Sequence, residues 1–418
     1  MSTRPTLDFL RANPSLLAFG FVMALGSSFG QTFFIGIFGP GIRDEFGLSH
    51  TAWGTIYMLG TLGSAALLPF TGKLVDSIAL RRYAMAVCAL MVLACTVTAN
   101  VAAAAWLVLA VFLLRHAGQG LMSHVALTSM ARYFDVDRGR AIAVAALGFS
   151  VGEAILPVLA VFVIALIGWR ATYGAAALIV LLVLLPTAWR LLRGHEERHR
   201  RYEERARSLA AAGPVMRAWS RRDLFRSLAF YLLVPGMLAP SLVTTALFFH
   251  HIVLAAEKGW SPAWITGNYV LYAAATLLTS LLTGVAIDRY TAVRVVPFML
   301  APLLAGLLVF ASGSHPLIVW PYFILIGANV GISHIARTAL WAELYGTAHL
   351  GAIKSLIAAL GVLSSALGPV AMGLLMDRGF SGASICVMFA LICALGTLGI
   401  TAGLTRHRRV ESAAARSR

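Results

Sequence analysis

Six stretches of the chain run at membrane-spanning length without a single Asp, Glu, Lys, Arg or His: Leu16–Ile42, Thr51–Gly72, Ser227–Phe249, Gly259–Ile287, Ser355–Met376 and Gly379–Thr405. A hydrocarbon layer about 30 Å thick is crossed by about 20 apolar residues in an α-helix. In lipid the helix is favoured because it satisfies every backbone N–H and C=O within its own segment. None of these stretches alternates polar and apolar residues as a barrel strand does. A further apolar run, 83–114, is too long for one crossing, and Asn100 marks a turn inside it.

Extended to the whole chain, this reading predicts an all-α membrane protein of twelve helices. They fall at 16–39, 53–75, 83–100, 104–130, 140–166, 172–192, 224–249, 263–287, 295–313, 316–341, 350–376 and 382–404. Composition agrees: 59% of the 418 residues are hydrophobic and 12% charged, against roughly 45–50% and 25% in soluble domains. Disorder, a secreted disulfide scaffold and a collagen-like fibre are excluded. The first run is longer than a signal-peptide core and a second span follows closely, so it is expected to stay in the protein. Cys88, Cys95, Cys386 and Cys393 all lie inside apolar runs and read as buried small hydrophobes.

The net charge of +16 would suggest nucleic acid in a soluble protein. Its distribution says otherwise. With the N-terminus inside, 27 of the 33 Lys and Arg fall in inside segments and four (Arg43, Arg170, Lys258, Arg378) fall outside. Arg115 and Arg337 lie within spans. Basic residues concentrate in cytoplasmic loops, so both termini are expected in the cytoplasm and no nucleic-acid partner is expected. The polar stretch 193–223, with Glu196/Arg200 and Glu197/Arg201 at favourable i,i+4 spacing, reads as a cytoplasmic linker between 1–192 and 224–418.

Those two halves carry matching punctuation. Thr71-Gly72 with Asp76 recurs as Thr283-Gly284 with Asp288, 212 residues on. Ser123-His124 recurs as Ser333-His334, Ala145-Ala146-Leu147-Gly148 as Ala358-Ala359-Leu360-Gly361, and Pro157 as Pro369. Four matches in order at offsets of 210–213 indicate a duplicated six-helix unit in parallel orientation. Such folds hold substrate near the midplane and alternate access by rocking one half against the other.

The Gly72…Asp76…Arg81-Arg82 corner and its copy Gly284…Asp288-Arg289…Arg294 resemble the signature of the major facilitator superfamily. Within it, Arg132-Tyr133-Phe134…Arg138-Gly139-Arg140-Ala141, Gly168-Trp169-Arg170-Ala171 and Ala342-Glu343-Leu344-Tyr345-Gly346 resemble the monocarboxylate and oxalate/formate branch. The resemblance implies two six-helix bundles and secondary transport. It also implies a cytoplasmic gate, with Asp76, Arg81 and Arg138 at one corner and Asp288 and Arg289 at its copy. Asp76 and Asp288 are expected beside the basic residues Arg138/Arg140 and Lys354.

Arg115 stands about eleven residues into the fourth helix. A charge at that depth costs roughly 2.5–3.5 kcal/mol on insertion scales, so it must face a cavity or a partner. Its planar fork of donors suits a carboxylate anchor, and a structural bridge to an acid on a neighbouring helix is the alternative. At about 100° per residue Gln119 shares its face. Glu153 lies at similar depth in the fifth helix, and a carboxylate withdrawn from water holds a proton more readily, which suits it to proton coupling. Asn329 and Arg337 on the tenth helix could line an opposite wall. The Gly26/Gly30, Gly148/Gly152 and Gly327/Gly331 pairs read as small-xxx-small helix contacts.

No nucleotide-binding loop, metal-ligand motif or nucleophile elbow is present, so neither enzyme, cofactor nor metal is expected. The expected function is alternating-access transport of a small, monocarboxylate-like organic anion, proton-coupled, by a monomer in a bacterial inner membrane. Its partners are then the carboxylate, the proton and membrane lipid. An exporter of hydrophobic or cationic compounds and a non-transporting receptor are the competing readings.

Overall fold

Helices occupy nearly all of the computed structural model, which describes residues 6–134, 137–194, 227–345 and 350–416. Eleven helical runs are long and apolar enough to cross a membrane. They are α1 (Pro14–Ile37), α2 (His50–Asp76), α3 (Leu80–Ala99), α4 (Trp106–Tyr133), the 54-residue run Arg138–Leu191, α7 (Leu228–Glu257), α8 (Pro262–Tyr290), α9 (Ala292–Ala311), α10 (Pro316–Trp341), α11 (Leu356–Asp377) and α12 (Gly382–His407). The long run breaks at Gly168, where φ is 78° and ψ 166°, a conformation that strongly favours glycine. The break makes two helices, α5 (138–167) and α6 (169–191), so the described residues hold the twelve apolar helices expected. Large apolar side chains such as Phe162, Leu182, Leu282 and Leu395 stand exposed on them, as a surface facing lipid requires.

The chain divides into two compact units, one of Met1–Leu48 and Ile56–Gly213, the other of Ser49–Thr55 and Pro214–Arg418. The stretch expected to be a linker falls largely outside the described residues, and so do its Glu–Arg pairs.

In the first unit α1 is the central strut, packed along α5 and α4. It is not continuous. A 3-10 turn at Ser27–Gly30 leads to Gln31 in extended geometry (φ −83°, ψ 154°) before helix resumes at Thr32. The expected glycine contacts are present here. A Cβ on Gly30 would lie 2.0 Å from the Leu114 carbonyl oxygen of α4, and one on Gly148 2.3 Å from that of Phe21. Backbone therefore rests directly on backbone, which no larger residue allows.

In the second unit α8 runs along α10, and α7 packs on α11 and α12. A Cβ on Gly327 would meet the Tyr272 carbonyl at 2.4 Å, so the same device serves this pair. Helix α7 extends to Glu257, eight residues past the boundary expected at 249. The sequence reading stopped at His250 and His251, but both are buried with partners. The His251 ring nitrogens meet the hydroxyls of Tyr269 at 2.9 Å and Tyr322 at 2.7 Å. His250 Nε2 meets the Pro369 carbonyl at 3.1 Å. The loop after α7 is correspondingly short. Within this unit the Asp377 carboxylate accepts from the backbone N–H groups of His50 and Thr51 at 3.0 and 2.8 Å. The four cysteines are buried and free, as expected.

Candidate functional site

Arg115 opens a π-helical segment, Arg115–Met122, inside α4. Single π turns in α-helices recur at functional positions. The side chain is 1% exposed. Its Nη1 donates to the Gly30 carbonyl at 3.2 Å and to the Thr32 hydroxyl at 3.3 Å, both at the break in α1. The guanidinium stands 5.1 Å from the Tyr57 ring centroid, and the Tyr57 hydroxyl is hydrogen-bonded to Thr32. Its Nε has no partner. Every acceptor it uses is neutral. The break in α1 supplies the Gly30 carbonyl, because an intact helix would direct that oxygen along its own axis.

Glu153 does not bridge to Arg115: among the described residues neither forms an ion pair. It is half-buried on α5, beside Gly152, whose Cβ would meet Ser28 Oγ at 2.0 Å. Gly152 thus packs on the interrupted stretch of α1 that Arg115 binds, and Glu153 is the next residue along α5. Gln119 is exposed while Arg115 is buried, and no hydrogen bond joins them.

The second unit places Arg337 differently. Its Nε donates to the Ser333 carbonyl at 3.1 Å, and Nη1 to the Met237 carbonyl at 3.2 Å and Ser241 Oγ at 3.4 Å. This guanidinium also has no acid partner among the described residues. Asn329, expected on a cavity wall, is fully buried, and its Nδ2 donates to the Met299 carbonyl at 2.8 Å. It ties α10 to the start of α9.

The expected gate residues are only partly gathered. Asp76 pairs with Arg132, which also donates to the Val75 carbonyl at 2.8 Å. Arg140 instead pairs with Asp137 at 3.2 Å, Arg138 is exposed, and Arg81 stacks 3.5 Å from the Trp189 ring centroid. Asp76 therefore does not lie against Arg138/Arg140. The reason is reach: Arg132 ends α4 facing the corner, whereas Arg138 begins the next helix. At the second copy Asp288 is exposed and unpaired among the described residues, Arg289 lies over Tyr290 at 5.2 Å, and the side chain of Lys354 is not described. There Glu343 takes the place of Arg132, 211 residues on, and accepts from the backbone N–H groups of Ala292 at 2.7 Å and Val293 at 3.1 Å.

The opposite corners are also repeated. Glu45 accepts from Trp169 Nε1 at 2.8 Å and Arg170 Nε at 2.9 Å, and the Arg170 hydrogen bond holds its carboxyl below the usual range despite some desolvation. Arg170 also donates to the carbonyls of Ala99 at 3.0 Å and Val101 at 2.6 Å. Glu257, 212 residues on from Glu45, accepts from the Gly382 N–H at 2.8 Å, and neighbouring Lys258 donates to the Gly313 carbonyl.

Residues 20–369 match the Major Facilitator Superfamily. The chain belongs to that superfamily, as a multi-pass membrane protein of the secondary-transporter fold. Among solved structures it is similar to a bacterial homologue of the human lysosomal transporter Spinster, crystallised inward-facing and occupied. The TM-score is 0.64 at 14% identity, over 97% of this chain and 94% of that one. At that identity the likeness concerns the fold. No curated protein matches the sequence.

Proposed function

We propose that the protein is a proton-coupled secondary transporter of a small organic anion, monocarboxylate-like, working by alternating access in a bacterial inner membrane with both termini cytoplasmic. The observation that carries the reading is Arg115, a buried guanidinium with a free Nε and only neutral acceptors. A buried cation without a counter-ion is costly, and a substrate carboxylate would supply both the missing charge and the missing acceptor. Glu153, in no ion pair among the described residues, is the proton-carrying group in this scheme. The Asp76–Arg132 pair is the lock of one gate corner, and Arg81 and Arg138 join it only in another state of the cycle. At its copy Asp288 and Arg289 stand in no ion pair among the described residues. Gln119 belongs to the substrate path in the first unit and Arg337 to that in the second, where Asn329 fixes α10.

The test is uptake of radiolabelled short carboxylates into proteoliposomes with an imposed pH gradient. Wild type should accumulate a carboxylate. Arg115→Lys, which keeps the charge and loses the fork, should weaken its binding about 10- to 100-fold, as expected for a lost charged hydrogen-bond pair. Glu153→Gln should retain exchange but lose gradient-driven accumulation. Transport of organic cations with no carboxylate uptake would sink the anion reading and favour the exporter.

A further inference from the structure

A cleft of about 560 Å³ opens in the second unit where α8, α10 and α12 end and α9 begins, lined by Arg289, Thr291, Arg294, Glu343, Leu404 and His407. Its two arginines make no ion pair among the described residues. The one carboxylate lining it, Glu343, is turned to the backbone N–H groups of Ala292 and Val293, which partly offset its charge. The neighbouring acid Asp288 does not line the cleft. Thr291 sits at φ 72°, ψ 154°, the only non-glycine residue at positive φ among those described. Such backbone persists only where its surroundings over-determine it, and it concentrates at functional turns. Here Glu343 fixes the two residues that follow, which sets Arg289 and Arg294 on either side of the turn.

Depth says what such a cleft can meet. The apolar span of α8 ends at Tyr290, that of α9 begins at Ala292, and that of α12 ends at His407. The cleft therefore lies at the limit of the hydrocarbon, at the level of lipid headgroups. The turns of α8 and α9 leading away from it carry exposed Leu282, Val285 and Phe298, the last 72% exposed. Guanidinium groups bind phosphate oxygens bidentately, and basic pockets between helices at this depth recognise anionic headgroups.

We propose that this cleft binds a phosphate-bearing anion, supplied by the headgroup of an anionic membrane phospholipid whose chains lie along α8 and α9. The site shares Arg289 with the proposed gate but no residue with the proposed substrate path, so lipid binding is read by mass spectrometry and melting rather than by transport.

The experiment uses delipidated full-length protein in a neutral detergent, with native mass spectrometry and thermal shift as readouts. The probes are phosphatidylglycerol, phosphatidylcholine and inorganic phosphate. Phosphatidylglycerol should bind and raise the melting temperature, while phosphatidylcholine and millimolar phosphate should not. Arg289→Gln/Arg294→Gln should weaken phosphatidylglycerol roughly 10- to 30-fold, at about 1 kcal/mol per basic residue near the surface. Arg190→Gln/Arg193→Gln, which removes the same charge from the first unit, should leave it unchanged. If the first pair fails to fold, Arg289→Lys/Arg294→Lys retains charge without the fork and should give a smaller loss. Equal affinity in every variant would overturn the site. Saturation by inorganic phosphate alone would overturn the lipid as its source.

Discussion

The two six-helix units solve their outer corners alike and their inner corners in opposite ways. At the outer corners an acid after or at the end of the first helix of each unit, Glu45 in the segment following α1 or Glu257 ending α7, holds the start of the last helix. A cation, Arg170 or Lys258, holds carbonyls of the loop between the third and fourth. The contacts differ in chemistry but join the same places. At the inner corners one repeat position carries opposite charge: Arg132 grips Asp76, whereas Glu343 grips backbone N–H groups. Duplication thus retained the joints that hold a bundle together. It freed the joint that the gate reading assigns to movement, leaving one inner corner as an ion pair and the other as a capped turn.

The largest expected contrast between the units lies at their arginines. Arg115→Gln should lower carboxylate uptake about 100-fold and Arg337→Gln about tenfold, since Arg337 has more neutral acceptors and is less buried. Equal losses in proteoliposome uptake would remove the distinction between the units. The inner corners come next. A double-mutant cycle of Asp76→Asn with Arg132→Gln on turnover should show coupling of about 1 kcal/mol or more, whereas Asp288→Asn with Glu343→Gln should show none. Coupling at both would mean that the two carboxylates of the second corner approach each other in another state. The outer corners should give the smallest effect. Glu45→Gln should cost under about 1 kcal/mol, as exposed ion pairs do. Because the folded-state carboxyl of Glu45 is depressed, its contribution is full above the ordinary glutamate range, near 4.3, and fades as pH falls through the lower folded value. Melting curves of wild type and Glu45→Gln should therefore converge in acid, and a gap that widens there would contradict the assignment.

Sequence patterning revealed the helices because lipid imposes one simple requirement, length without charge. It placed the repeat as well, and the 212-residue spacing of Glu45 and Glu257 was open to the same comparison. What it could not give were features that depend on local backbone departures. The break at Ser27–Gly30, the π turn at Arg115 and the positive φ of Thr291 leave no mark on hydropathy, yet they decide which atoms Arg115 meets and where Arg294 stands. Histidines misled it because His250 and His251 look polar in a list and are satisfied in place by a carbonyl and two tyrosines. Arg132 lay within a quoted motif, but nothing in its spacing separated it from Arg138 as the partner of Asp76. Thr32 and Tyr57, which complete the surroundings of Arg115, carried no signal.

Gly168 joins α5 to α6 through one non-helical residue, and nothing lies within 4 Å of where its Cβ would be. The turn therefore exposes no loop for a protease to cut, an antibody to grasp or an inserted epitope to extend. Any reporter of this edge must sit in a helix and perturb it. Alanine at this position would meet no side chain or distant backbone within 4 Å, so its cost would be backbone torsion set against the lower unfolded-state entropy of alanine, with no packing clash between them.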